Sequence, residues 1–218
     1  MLRILNSFFL FISFFSFAQK DTLSVIKHTS EWIVNQDSRV VYRAMPNNFS
    51  IEIPNSLSFS VSGLGVKSTS KNTFEINPGA GSELNVSVQI VLKNKTKKVE
   101  VFIFKIKNIA VPLTSLNYNK DPILRMSKNN LKDAVVRVFF EDKNLDFKFN
   151  VLEFTLRIPG QKAIVVQGNT ITKAVFEQIN RYAGKGDQLT IFDVKSRVGI
   201  QIKGLLICKI APVLITIL

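Results

Sequence analysis

The sequence predicts a mainly β chain: two consecutive β-sandwich-like domains, the second carrying one α-helix. Three observations predict it. Apolar and polar residues alternate with period two through many short stretches, as in strands with one wet face. Turn-forming clusters such as Gly63-Leu64-Gly65 and Asn77-Pro78-Gly79 separate those stretches. A single segment, about 170–182, has helical periodicity instead.

The N-terminus stands apart from this pattern. Arg3 precedes an apolar run from Ile4 to Phe17 that ends in Ser16-Phe17-Ala18. That is the layout of a secretory signal peptide, here 1–18. The run is short for a membrane-spanning helix, which needs about 20 apolar residues, so an uncleaved inner-membrane anchor is the minor alternative. The remainder is expected to be exported to the periplasm. Residues 19–38 are polar and mixed, and read as a leader or an edge strand.

A first β-sandwich is expected over 39–107. It opens with Val40-Val41-Tyr42, followed by a turn through Met45-Pro46-Asn47-Asn48. Phe49, Ile51 and Ile53 then alternate with Ser50 and Glu52, and Leu57, Phe59 and Val61 repeat the pattern. Thr73–Ile76 is a short strand. The clearest one follows, where Leu84, Val86, Val88, Ile90 and Leu92 share a face. The run to Lys107 is apolar on both faces around Phe102–Phe104, which predicts a strand buried in the middle of its sheet.

A second β domain is expected over 108–218. Residues 108–130 look irregular, and 134–140 form a strand closed by a turn at Glu141–Asn144. Leu145, Phe147, Phe149 and Val151 face one way. Leu152, Phe154, Leu156 and Ile158 then take over the apolar face. One extra residue in a strand reverses its phase, so this slip predicts a β-bulge. In the helix, Asn169 or Thr170 serves as cap and Gly184 as terminator. Ile171, Ala174, Val175, Gln178 and Ile179 fall on one face. Strands are expected again at 188–194, 199–203 and 205–218.

Composition narrows the function. Lys and Arg number 29 against 16 Asp and Glu, a net charge of +13 spread over both halves. Such a surface favours anionic partners in general. There is no helix-turn-helix, zinc-finger or arginine-rich signature, so nucleic acid is not expected. Cys208 is the only cysteine, which rules out an internal disulfide; its apolar neighbours Leu205 to Ile207 point to a buried position.

Catalytic patterns are missing. His28 is the only histidine and reads as a surface residue, which leaves no Ser-His-Asp triad or histidine metal site. Glu141, Asp142 and Asp146 do not follow calcium-loop spacing and read as a solvated turn. Glu153 and Asp193 are a formal carboxylate pair, but nothing in the sequence sets them across a cleft. No catalytic residue, metal, cofactor or small-molecule substrate is therefore expected. The chain reads as a binding or structural protein. Lys143, Lys185 and Arg197, all in predicted turns, are the candidate partner-binding residues. A generic secreted module for surface adhesion or glycan binding is the alternative, although 18 Phe against one Trp and three Tyr favours core packing over an aromatic platform.

The order of these pieces resembles a known family. Val40-Val41-Tyr42-Arg43-Ala44-Met45-Pro46-Asn47, Pro78-Gly79-Ala80-Gly81 and Phe102-Ile103-Phe104-Lys105-Ile106-Lys107 resemble the third periplasmic domain of GldM. That protein serves gliding motility and type IX secretion in Bacteroidetes. The run Asn144–Phe154, Gly168-Asn169-Thr170, the helix, Gly184 and Gly186-Asp187 resemble its fourth domain. The resemblance implies a mechanical, non-enzymatic role in the periplasm. Its implied partners are proteins of the shaft or of the outer-membrane-associated ring, and a homodimer is possible within it. The chain departs from the family in its signal peptide, in lacking room for the anchor and first two domains, and in lacking a double glycine after Pro112. The expectation is a truncated paralogue that caps, competes with or accessorises a shaft.

Overall fold

The computed structural model describes residues 22–199 and 209–218. The expected signal peptide, the strand at 199–203 beyond its first residue, and Cys208 lie outside the described residues. Strands and bridges make up 51% of the described residues and helix 7%, so the fold is mainly β.

Eight strands build the N-terminal sandwich. They are β1 (Val25–His28), β2 (Val40–Tyr42), β3 (Asn47–Glu52), β4 (Ser56–Ser62), β5 (Val66–Ser68), β6 (Thr73–Ile76), β7 (Glu83–Leu92) and β8 (Lys97–Lys107). One sheet has the order β1-β3-β6-β5 and the other β2-β8-β7-β4. Their inner faces share a single core, in which Phe49 stacks on Phe74 at 5.4 Å and meets Phe104 edge-on at 5.1 Å. In β7, Leu84, Val86, Val88 and Ile90 are buried in strict alternation. Gly65 closes the β4–β5 turn at φ +73; a Cβ there would stand 2.1 Å from the Asn77 carbonyl oxygen, so no other residue fits.

The segment read as a leader or edge strand contains β1, which is the edge strand of its sheet, beside β3. Two expectations in this region change. Asn47 and Asn48 belong to β3, not to the turn. The Asn47 side chain is buried, accepts from the Tyr42 N–H at 2.7 Å and donates to three backbone carbonyls, so its polarity is fully used inside. Finally, β8 is not buried on both faces. Phe102 and Phe104 point inward, but Val99, Val101 and Ile103 are 64%, 57% and 56% exposed.

The C-terminal unit contains β9 (Leu113–Leu116), β10 (Ile123–Met126), a 3-10 helix (Lys128–Leu131), β11 (Val136–Phe139), β12 (Phe149–Arg157), β13 (Ile164–Gln167), α1 (Lys173–Tyr182), β14 (Gln188–Val198) and β15 (Val213–Ile217). A five-stranded sheet runs β10-β15-β14-β12-β13, and β11 pairs with β9 separately. The stretch read as irregular thus holds two strands. Both depend on distant partners: β10 lies parallel to β15, with Ile123 opposite Leu214.

The β12–β14 register shifts between Val151 and Glu153 and again between Glu153 and Thr155, which is the predicted bulge. Val151 is buried before it, and Phe154 and Leu156 after it. Leu152 falls on the outer side, contrary to the phase assigned from sequence. Helix α1 starts later than expected, with Thr172 as cap accepting from the Val175 N–H. Its core stripe is Val175 and Ile179, continued by Ile171 before the helix and Ala183 after it, while Ala174 and Gln178 are exposed. Gly184 does not end the helix in a left-handed turn; its N–H donates to the Asp187 carboxylate at 2.7 Å.

Candidate interaction site

A third hydrophobic cluster joins the sandwich to the C-terminal unit. Ile33, Tyr42 and Met45 come from one side and Phe140, Leu145 and Phe147 from the other. Trp32 stacks on Phe147 at 6.2 Å, and Phe140 meets Phe147 edge-on at 5.2 Å. Backbone bonds cross the same joint: the Val34 N–H donates to the Asn144 carbonyl at 3.0 Å and the Asp146 N–H to the Trp32 carbonyl at 2.9 Å.

Asp142 anchors the rim of this joint. It accepts from the Tyr42 hydroxyl at 2.9 Å and pairs with Lys107 at 2.8 Å. Burial works against its ionisation. The Lys107 ammonium, the Asn144 N–H and the Tyr42 hydroxyl outweigh that and hold its carboxyl below the usual range. Burial pushes the Tyr42 phenol up, so it stays a donor. The acidic turn is therefore not merely solvated: one of its carboxylates fastens two parts of the molecule. Sequence could not show this, because Tyr42 and Asp142 are 100 residues apart.

The three cations expected to bind a partner are all exposed, but they do not form one patch. Lys143 follows Asp142 in the turn at the joint. Arg197 is not in a turn; it lies inside β14 opposite Asn150. Lys185 sits beyond the other end of β14. That strand has 11 residues, and at about 3.3 Å per residue its ends are roughly 35 Å apart.

Glu153 and Asp193 do line one groove, with Lys195 and Lys209. Each carboxylate has a lysine partner, Lys195 with Glu153 at 2.7 Å and Lys209 with Asp193 at 3.7 Å. The Lys195 ammonium, with the Gln167 amide, holds Glu153 below the usual carboxylate range, so it is poorly placed to deliver a proton. His28 is remote from this groove. Contrary to the surface reading, it is 2% exposed, with its ring 4.0 Å from that of Phe49. Alternation in β1 turns it inward together with Ile26. Burial pushes its pKa down to about 4, outweighing the Val40 and Ser38 backbone, which favours the charged ring. Among the described residues no three His, Cys, Asp or Glu side chains cluster as a metal site. No described helix is long and apolar enough to cross a membrane.

Residues 109–211 match the family model of the GldM C-terminal domain. That match covers just under half of the chain, and the C-terminal unit is similar to that family. The similarity supports a structural role related to gliding motility and type IX secretion. No curated protein matches the chain significantly. Solved structures similar to it include fibronectin(III)-like modules of Clostridium thermocellum CbhA, with 10% identity, covering 88% of this chain and 92% of that one, TM-score 0.32. Murine CEACAM1b has 8% identity, with 89% and 100% covered and TM-score 0.30. The Bacteroides ovatus glucan-utilisation protein SGBP-B, in complex with a mixed-linkage heptasaccharide, has 10% identity, with 82% and 43% covered and TM-score 0.28. Likeness this slight carries no argument about function.

Proposed function

We propose that this chain is a non-enzymatic periplasmic interaction or structural protein, accessory to or derived from the GldM shaft of gliding motility and type IX secretion. The observation that supports it is the family match over 109–211. On this reading, 39–107 is a unit like the shaft's third domain and 108–218 one like its fourth. The aromatic joint and the Lys107–Asp142–Tyr42 contacts hold the two in one orientation, as a load-bearing adaptor requires. The partners are shaft or ring proteins, met through Lys143 and Arg197 at one end of the C-terminal unit and Lys185 at the other. Trp32, the single tryptophan, is committed to the joint, which counts against an aromatic platform for glycans.

The test is crosslinking in the native cell followed by affinity capture. Recovery of shaft or ring proteins, reduced when Lys143, Lys185 and Arg197 are changed to Glu, is the expected result. Recovery of glycans or unrelated surface proteins alone would remove the secretion and motility assignment.

A further inference from the structure

Strand β8 is paired with β7 in continuous register from Lys97 to Lys105. On its other side, β2 covers only Lys105 to Lys107. Among the described residues nothing pairs with that second edge from Lys97 to Phe104. The Lys105 N–H donates outward to the Arg39 carbonyl, whereas the Ile106 N–H turns back to Ser82. Backbone direction alternates along a strand, so the amides and carbonyls of Val99, Val101 and Ile103 face the open edge. The same three residues carry the exposed aliphatic side chains. Leu23 and Ser24 lie nearby but bond to the Glu100 carboxylate, not to the β8 backbone.

Long regular edges invite pairing, and proteins guard them with bulges, prolines, short strands or charges, lysine above all. This one has no proline, and its register with β7 shows no bulge. Its charge is one-sided. Lys93, Lys95, Lys97 and Lys98 are exposed at one end and Lys105 at the other. Glu100, the single acid in the strand, is engaged by the Leu23–Ser24 segment.

We propose that the open edge of β8, from Lys98 to Phe104, takes up an extended segment of an acidic partner protein by β-strand addition. Main-chain bonds to Val99, Val101 and Ile103 supply affinity, and their side chains face alternate aliphatic residues of the guest. The lysines select acidic residues flanking that segment. A second copy of this chain fits poorly. Two-fold antiparallel pairing about Val101 sets Lys97 opposite Lys105 twice, and like charges directly opposite are destabilising. The proposal rests on the reading of the chain as a protein–protein interaction module, but not on which machine supplies the partner.

The test uses the whole chain and two fluorescein-labelled peptides. One has alternating valine and threonine bracketed by paired glutamates; its twin has lysines in place of the glutamates. The glutamate peptide is expected to bind at least tenfold tighter and to slow amide exchange at Val99, Val101 and Ile103. Lys97→Glu with Lys98→Glu should reverse the preference. Val101→Pro should abolish binding without unfolding the sandwich, because that N–H is not bonded to β7. The exchange readout on the unaltered chain stands even if the proline variant misfolds. Binding of neither peptide would mark the lysines as guards against pairing and overturn the proposal. Equal binding of both, protection elsewhere than β8, or a chain dimer that Val101→Pro dissolves would overturn it too. Failure here with shaft or ring proteins still captured from cells would leave the proposed function standing. Failure of both would remove the interaction reading.

Discussion

Strands β8 and β14 each have 11 residues, and each turns alternate residues inward over at least part of its length, yet they meet different fates. β14 lies between β15 and β12, and its inward residues Leu189 and Ile191 are fully enclosed in a core that also takes Val175 and Ile179 from the helix. Among the described residues β8 has a full neighbour on one side only, and its outward aliphatic row is exposed. The difference teaches that alternation specifies a strand and its inward face. It does not specify how many neighbours the strand has or what covers its back.

The sharpest way to break this comparison is to remove aliphatic bulk from each strand. Ile191→Ala should cost about 2–5 kcal/mol, as for a buried large-to-small change. Val101→Thr should cost under about 0.5 kcal/mol, as for an exposed site. Urea midpoints measure both, and equal losses would mean that the back of β8 is covered after all.

A second test asks whether the two regions share one transition. Phe147→Ala empties the joint and should cost about 3 kcal/mol. It should also split a single calorimetric transition in two. A single, merely lowered transition would show that the coupling runs through other contacts.

Acid separates the regions next. The folded pKa of His28 is depressed to about 4 from an ordinary 6.5. Below pH 6.5 the unfolded chain binds the proton that the folded chain refuses. Stability is therefore full above pH 6.5, falls as pH drops, and levels off below pH 4, with a loss of up to about 3 kcal/mol. His28→Leu should flatten that limb of the pH–stability curve in the sandwich. Since His28 is the only histidine, the C-terminal unit has no counterpart.

The smallest effect belongs to the helix that packs into the β14 core. Thr172→Ala removes a cap bond of 3.4 Å, and should cost about 0.5–1 kcal/mol. No change in melting temperature would mean that packing of Val175 and Ile179 alone holds the helix start.

Local chemistry determined a good deal by itself. Period-two alternation placed most strands, since a strand with one wet face must alternate. The reversal of phase after Val151 exposed the bulge for the same reason. The helix was legible from its stripe through Val175 and Ile179, although its start moved to the Thr172 cap. Other features came only from tertiary structure. Ile123–Met126 is a strand because β15 runs beside it, and no local signal carries that pairing. His28 is buried because β1 pairs with β3 and turns that side under Phe49. Asp142 is a fastening because Tyr42 and Lys107 arrive from the N-terminal sandwich, 100 and 35 residues away. Among the described residues the edge of β8 is open because β2 stops after three residues, so the decisive fact is how far a neighbour extends, which periodicity along one strand does not encode.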